Sequence, residues 1–306
     1  MEPREAATVM LVRDARSGGP HEGDSYASPS PSPSPSPSPA VVGDVPGTPG
    51  LEVFLLRRNL HSAFVAGAYV FPGGALDPED RAPEMLDLVH GTDGAVADDQ
   101  LGVPGALGFW AAAIRESFEE GGVLLARDCA TGHPVDPRVS ERLAPERPSI
   151  ASRERSFAEM LESEALVLDA GRLRPFGRWI TPSPAPRRYD TWFFVALAPA
   201  DHAYAHDADE TVASEWMRPG DALARAARRE IELIYPTFRS LQALARFDDT
   251  AALLAAVDRA WEEPATALRV MNPDQGWQVR LPGDDADAED DALVHSTTHR
   301  RAAGAG

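Results

Sequence analysis

The stretch Ala111-Ala-Ala-Ile-Arg115-Glu116-Ser-Phe-Glu119-Glu120-Gly121-Gly122-Val123 decides how this chain is read. Three alanines, Ile114 and long unbranched polar side chains favour a helix over 108–120, and Gly121-Gly122 ends it. Glu119 and Glu120 stand three and four residues after Glu116, so all three carboxylates crowd one face, with Cβ atoms about 5–6 Å apart. Ile114 and Phe118 form a neighbouring apolar stripe that can pack on a sheet. Like charges this close cost about 0.2–0.5 kcal/mol per pair without a counterion. A divalent cation turns that cost into a binding site, because hard cations take oxygen ligands. For an arbitrary Glu-x-x-Glu-Glu a solvated face is the ordinary reading. Here Arg115 precedes and Gly122 follows at fixed spacing, a pattern expected by chance in about one in a few thousand chains of this length.

Upstream, Tyr69-Val70-Phe71-Pro72-Gly73-Gly74 reads as a strand running into a glycine turn, where backbone can approach a metal or phosphate closely. The two pieces together resemble the Nudix box, G-x5-E-x7-R-E-U-x-E-E-x-G-U with U apolar. Asp80 is the sixth residue after Gly74, a carboxylate where the family has glutamate, and it is assigned no metal. In the family's spacing the arginine would follow at position 88. It stands at 115, so an insert at about 81–106 splits the box, and Ser117 replaces the usual apolar residue. A split box of this kind resembles the Nudix branch related to the animal peroxisomal coenzyme A diphosphatases. Leu55-Leu56-Arg57-Arg58, Arg188-Tyr189-Asp190-Thr191-Trp192-Phe193-Phe194 and Glu210-Thr-Val-Ala-Ser-Glu215-Trp216-Met-Arg-Pro219 fit that comparison, which spans roughly residues 50–245.

The resemblance implies an α/β fold: a Nudix-type α/β/α sandwich with a mixed sheet, plus the insert and a C-terminal helical extension. It implies hydrolysis of a diphosphate linkage in a nucleoside diphosphate derivative, coenzyme A or acyl-coenzyme A among the candidates. Glu116, Glu119 and Glu120 would hold Mg2+ or Mn2+, helped by a carbonyl of Gly73 or Gly74. Arg115 stays protonated and cannot be a base; its expected task is to orient Glu119 at i+4. The base would be Glu120, or a later glutamate, Glu210 or Glu215, from an acidic loop over 201–215. Arg57, Arg58, Gly73, Arg187 and Arg188 are candidate substrate contacts, since a guanidinium fork suits phosphate oxygens. Two alternatives stay open: the same chemistry on ADP-ribose, dinucleotides or nucleoside triphosphates, and a non-catalytic nucleotide-binding regulator.

The rest of the chain bounds the answer. A formal net charge of −19 over 306 residues argues against a sequence-independent grip on nucleic-acid backbone. The single cysteine, Cys129, excludes an intrachain disulfide and a cysteine zinc cluster. With no apolar run of membrane length, no signal-peptide core and an Ala-Gly-Ala-Gly end rather than Ser-Lys-Leu, a soluble cytoplasmic protein is expected, a homodimer remaining open.

In chain order, residues 1–14 carry a first strand at 7–13, and 15–48, with Ser-Pro repeats, read as a disordered excursion with little to bury. The Nudix domain is expected over 49–247, with the insert as a surface lobe near the mouth of the site. Within it, 131–153 read as loop, Phe157 to Leu168 as a second helix, and Gly177–Thr181 and Thr191–Ala198 as strands, the latter central. Helices are expected over 221–229, 236–247 and 250–261, the last in an extension (248–282) outside the core. Gln278–Leu281 reads as a late strand, and 283–306 as an acidic disordered tail.

Overall fold

The computed structural model describes residues 2–15, 50–59, 67–181, 185, 187–199 and 211–262. The expected Ser-Pro excursion, apart from Ala15, lies outside the described residues, as do Glu210, the strand at 278–281 and the acidic tail.

Ten strands and nine α-helices can be followed among the described residues. Strand β1 (Arg4–Asp14) is followed by β2 (Leu51–Arg58), β3 (Tyr69–Val70) and β4 (Gly73–Ala75). A 3-10 turn (Pro78–Arg81) leads to α1 (Pro83–Leu86), β5 (Val89–His90) and α2 (Gly94–Leu101). Next come α3 (Leu107–Gly121), β6 (Ala126–Asp128), α4 (Pro137–Leu143), α5 (Arg147–Ala151) and α6 (Phe157–Ser163). The chain continues through β7 (Leu166–Asp169), β8 (Arg174–Ile180), β9 (Tyr189–Leu197) and β10 (Thr211–Met217). It closes with α7 (Pro219–Ala227), α8 (Tyr235–Leu244) and α9 (Thr250–Glu262).

The main sheet runs β10-β2-β1-β9-β8 and is mixed, because β1 and β9 are parallel while the other pairs are antiparallel. Alternation along the strands sorts its side chains into two layers. Val9, Leu11, Phe54, Leu56 and Phe194 face one core, shared with Trp110, Ile114 and Phe118 of α3. Met10, Val12, Val53, Leu55 and Val195 face the other, covered by Ala222, Leu241, Leu244, Leu253 and Val257 of α7, α8 and α9. The result is the expected α/β/α sandwich. A smaller sheet, β5-β7-β6, packs on the α3 side through Val89, Ala126 and Leu168.

One irregularity positions the site. β1 pairs with β2 only over Val12–Asp14, and the two strands then part. Into the opening goes the 69–75 segment: β3 pairs with β2 at Leu56 and Arg57, and β4 pairs with β1 at Ala6, Ala7 and Thr8. The Pro72 carbonyl accepts from Val9 N–H between them, at 2.9 Å. Gly73 and Gly74, read above as a turn, are therefore ladder residues filling a split in the sheet. A Cβ on Gly73 would come within 2.6 Å of the Ala7 carbonyl oxygen, so only glycine lets the two backbones approach this far.

Other expectations are corrected by tertiary context. The 131–153 segment carries α4 and α5, whose Leu143 and Ile150 are buried. The second helix stops at Ser163, Ala165 takes a left-handed φ of 54°, and Leu166-Val167-Leu168 is a strand. A short apolar run fits either period, and length alone could not separate them. The insert is no mere surface lobe: Met85, Ala97 and Leu101 join the core beside α3. Helix α9 is docked rather than peripheral, with Leu253 and Val257 buried on the second face. Glu215 lies on strand β10, not in a loop.

Candidate active site

Every residue of α3 except Glu119 is buried, so this is a core helix with carboxylates on it and no solvated acidic face. Its C-terminus closes with Gly122 at φ 70°, whose amide donates to the Phe118 carbonyl, while the Val123 amide donates to that of Ser117. This is a glycine-terminated helix end of the Schellman kind.

Arg115 organises the acids around it. Its Nε and Nη2 each donate at 2.9 Å to the two oxygens of Asp80, a bidentate pair. Nη1 donates to Glu116 Oε1 at 2.8 Å and to Glu119 Oε1 at 3.1 Å, and Nη2 also reaches the Ala75 carbonyl at 3.1 Å. A guanidinium has five N–H groups, and these five contacts use all of them. Asp80 is 0% exposed and also accepts from the Asp77 amide at 2.8 Å. Burial by itself works against the Arg115 charge. The Asp80 hydrogen bonds and the charges of Glu116, Asp80 and Glu119 outweigh it and hold the guanidinium protonated well above its usual range.

The glutamates close against the glycines in the split sheet. Glu120 Oε2 accepts from the Gly73 amide at 2.8 Å. The Glu116 carboxylate occupies the space a side chain at Gly74 would fill: a Cβ there would sit 2.5 Å from Oε1. Burial pushes the Glu116 carboxyl up to about 7 against the opposing pull of Arg115, and burial likewise raises Glu119. Asp80, Glu116, Glu119 and Glu120 thus converge around Arg115 and β4.

The other sequence candidates fall elsewhere. By strand parity Glu215 shares the second face with Leu55 and Met217, opposite α3. There it ion-pairs with Arg225 at 2.7 Å and accepts from the Tyr69 hydroxyl at 3.4 Å, so the structure does not bring it to the α3 carboxylates. Arg57 lies across from Tyr69 on that second face, while Arg58 points to the α3 side. Arg187 is exposed between β8 and β9, and Arg188 Nε donates to the Thr181 carbonyl at 2.9 Å. The sequence alone assigns Asp80 no role. Its position six residues after Gly74 was the available signal, masked by the insert that separates it from Arg115.

A profile of the NUDT19 Nudix domain matches residues 91–244, half of the chain, with Arg115, Glu116, Glu119 and Glu120 inside the match. This chain belongs to the NUDT19 Nudix family. It is an enzyme of the Nudix hydrolase class, whose reaction is hydrolysis of a diphosphate linkage. The chain is 29% identical over 288 residues to acyl-coenzyme A diphosphatase NUDT19 of Homo sapiens, covering 82% of this chain and 76% of that protein. It is 29% identical over 325 residues to the Gallus gallus protein of the same name, covering 94% and 80%. A crystal structure of a NUDIX hydrolase from Alicyclobacillus acidocaldarius superposes with a TM-score of 0.55 at 26% identity, covering 86% of this chain and 96% of that one. Among the described residues no helix is long and apolar enough to cross a membrane.

Whether the site suits a divalent ion can be tested on its donors. Among the described residues no three His, Cys, Asp or Glu side chains stand as a ready-made cage; Arg115 holds one oxygen each of Glu116 and Glu119, and the Gly73 amide one of Glu120. The donor chemistry nevertheless fits. Three carboxylates crowd around one guanidinium and Glu120 stands beside them on the Gly73 amide; all are hard oxygen donors, and the glycines leave room for carboxylate beside backbone. Surplus buried negative charge of this kind is stabilised by a cation.

Proposed function

We propose that this enzyme is a metal-dependent diphosphatase acting on coenzyme A or its acyl esters, releasing adenosine 3′,5′-bisphosphate and (acyl-)phosphopantetheine. The observation that carries the reaction type is the Arg115-centred carboxylate cluster set against Gly73 and Gly74. The substrate rests on the kinship with the coenzyme A branch, since the human and chicken relatives carry that activity in their names.

Glu116, Glu119 and Glu120 would hold Mg2+ or Mn2+, with a carbonyl of Gly73 or Gly74 as a further oxygen. The ion, when bound, supplies charge to clamp diphosphate oxygens and lowers the pKa of a water. Arg115 holds Glu116 and Glu119 by their Oε1 atoms, and Asp80 holds Arg115, so the carboxylates keep one orientation before substrate arrives. Glu120, fixed by the Gly73 amide, is the favoured base, because Glu215 lies on the other face of the sheet. The α3-side Arg58 and the exposed Arg187 are the arginines best placed for substrate phosphates.

A panel of coenzyme A, acetyl- and longer acyl-coenzyme A, ADP-ribose, dinucleoside polyphosphates and nucleoside triphosphates with Mn2+ tests this reading. Coenzyme A or an acyl ester should give the highest kcat/KM, and Glu119→Gln or Glu120→Gln should lower it by at least about 100-fold. Preferred turnover of ADP-ribose or a triphosphate would overturn the substrate. Nucleotide binding with no turnover by any protein would overturn the enzyme.

A further inference from the structure

The segment after β6 reaches back to the acidic cluster at two points. Arg147, buried at the start of α5, donates through Nε at 2.9 Å and Nη2 at 2.6 Å to the main-chain carbonyl of Glu119. Arg153, just past α5, ion-pairs with Asp77, whose amide in turn donates to the Asp80 carboxylate. Magnitudes separate these two contacts. The Arg153 side chain is 59% exposed, and water screens such a pair until it contributes little. Arg147 makes charge-assisted hydrogen bonds out of water, about twice as strong as neutral ones.

The carbonyl that Arg147 takes belongs to the last turn of α3, where no further helical turn supplies a donor. The amides that close the helix end go to Phe118 and Ser117, leaving the Glu119 carbonyl to Arg147. A guanidinium at that end also faces the negative pole of the helix dipole. The peptide group it grips joins Glu119 to Glu120. Arg115 meanwhile holds the Glu119 carboxylate, so Glu119 is fixed at its main chain and at its side-chain tip by two different arginines.

We propose that Arg147 is a positioning residue: by clamping the Glu119–Glu120 peptide it sets how both carboxylates face a divalent ion and the diphosphate. The role rests on the function proposed for α3, and displacements of about 1 Å are enough to cost on the order of 100-fold in rate. The test uses the full chain with Arg147→Met, which keeps bulk, and Arg147→Lys, which keeps charge but not the fork. Mn2+ alone is titrated by electron paramagnetic resonance well below each variant's Tm, and kcat and KM are measured on the best diphosphate of the panel. Amide exchange over residues 119–123 is followed in the metal-free protein. Arg147→Met should weaken Mn2+ binding and lower kcat by about tenfold, leave KM within about threefold and speed exchange over 119–123. Arg147→Lys should lose about threefold in kcat. If Arg147→Met does not fold, the lysine variant carries the same comparison. Folded variants matching wild type within twofold in Mn2+ affinity and kcat overturn the positioning role and leave the function standing. A wild type that neither binds Mn2+ nor hydrolyses a diphosphate overturns both.

Discussion

Asp80→Asn removes one negative charge from a fully buried site and leaves nearly the same shape. Its two oxygens accept from Arg115 Nε and Nη2 at 2.9 Å, and one also accepts from the Asp77 amide. An asparagine offers one carbonyl oxygen and turns an N–H toward a guanidinium N–H. Breaking a buried ion pair from one side costs about 3–5 kcal/mol. Arg115 retains Glu116 and Glu119, which places the loss at the lower end, about 3 kcal/mol. At about 2–4 °C per kcal/mol for a domain of this size, Tm should fall by about 6–12 °C. The control is Arg153→Ala, which breaks the exposed pair with Asp77 and should move Tm by no more than about 4 °C. Thermal unfolding of the metal-free protein at neutral pH, followed by circular dichroism, reads both. An Asp80→Asn variant melting within 2 °C of wild type, or no more shifted than Arg153→Ala, would refute the claim that Asp80 anchors Arg115.

Three further outcomes follow from the geometry. Gly74→Ala should lower kcat by about tenfold or more with modest loss of stability, since its Cβ would collide with the Glu116 carboxylate, a movable side chain. Gly73→Ala should cost stability first, because its Cβ would meet backbone of Ala7 and Thr8; melting and kinetics of the pair check both statements. In EDTA, stability should fall as pH rises from about 4.5 to about 7. Burial raises the Glu116 carboxyl over that window, so the folded chain keeps a proton that the unfolded chain has released. Glu116→Gln should flatten the slope in urea unfolding between pH 4.5 and 8, and an unchanged slope would count against a buried, strained carboxylate. Removal of divalent ions should abolish hydrolysis and readdition of Mn2+ restore it, as measured by product release; activity persisting in excess EDTA would sink the metal requirement.

Much of this was legible in the sequence because it is local. Helix α3 follows from alanines, spacing and a double-glycine stop, and Glu116, Glu119 and Glu120 share a face simply because a helix turns every 3.6 residues. The Arg115–Glu119 contact is another i,i+4 relation, so a helix alone determines it. Strands β8 and β9 could be read from their β-branched and aromatic runs, and β9, expected to be central, is an interior strand lying between β1 and the edge strand β8.

What the tertiary structure decided are relations between distant positions, which no periodicity encodes. Asp80 meets Arg115 across 35 residues because the insert folds its own apolar side chains into the core and returns the chain to the same place. Gly73 and Gly74 are ladder residues only because β1 and β2 part and leave a gap to fill. Glu215 is carried to the far face by strand parity, since a shift of one residue in a strand reverses the side a carboxylate faces. Arg147 finds a helix carbonyl 28 residues away because α5 packs beside the last turn of α3. Helical turns fix that Glu116, Glu119 and Glu120 stand together and that Arg115 reaches Glu119; only the folding of one segment onto another brings Asp80, Arg147 and the Gly73 amide to them.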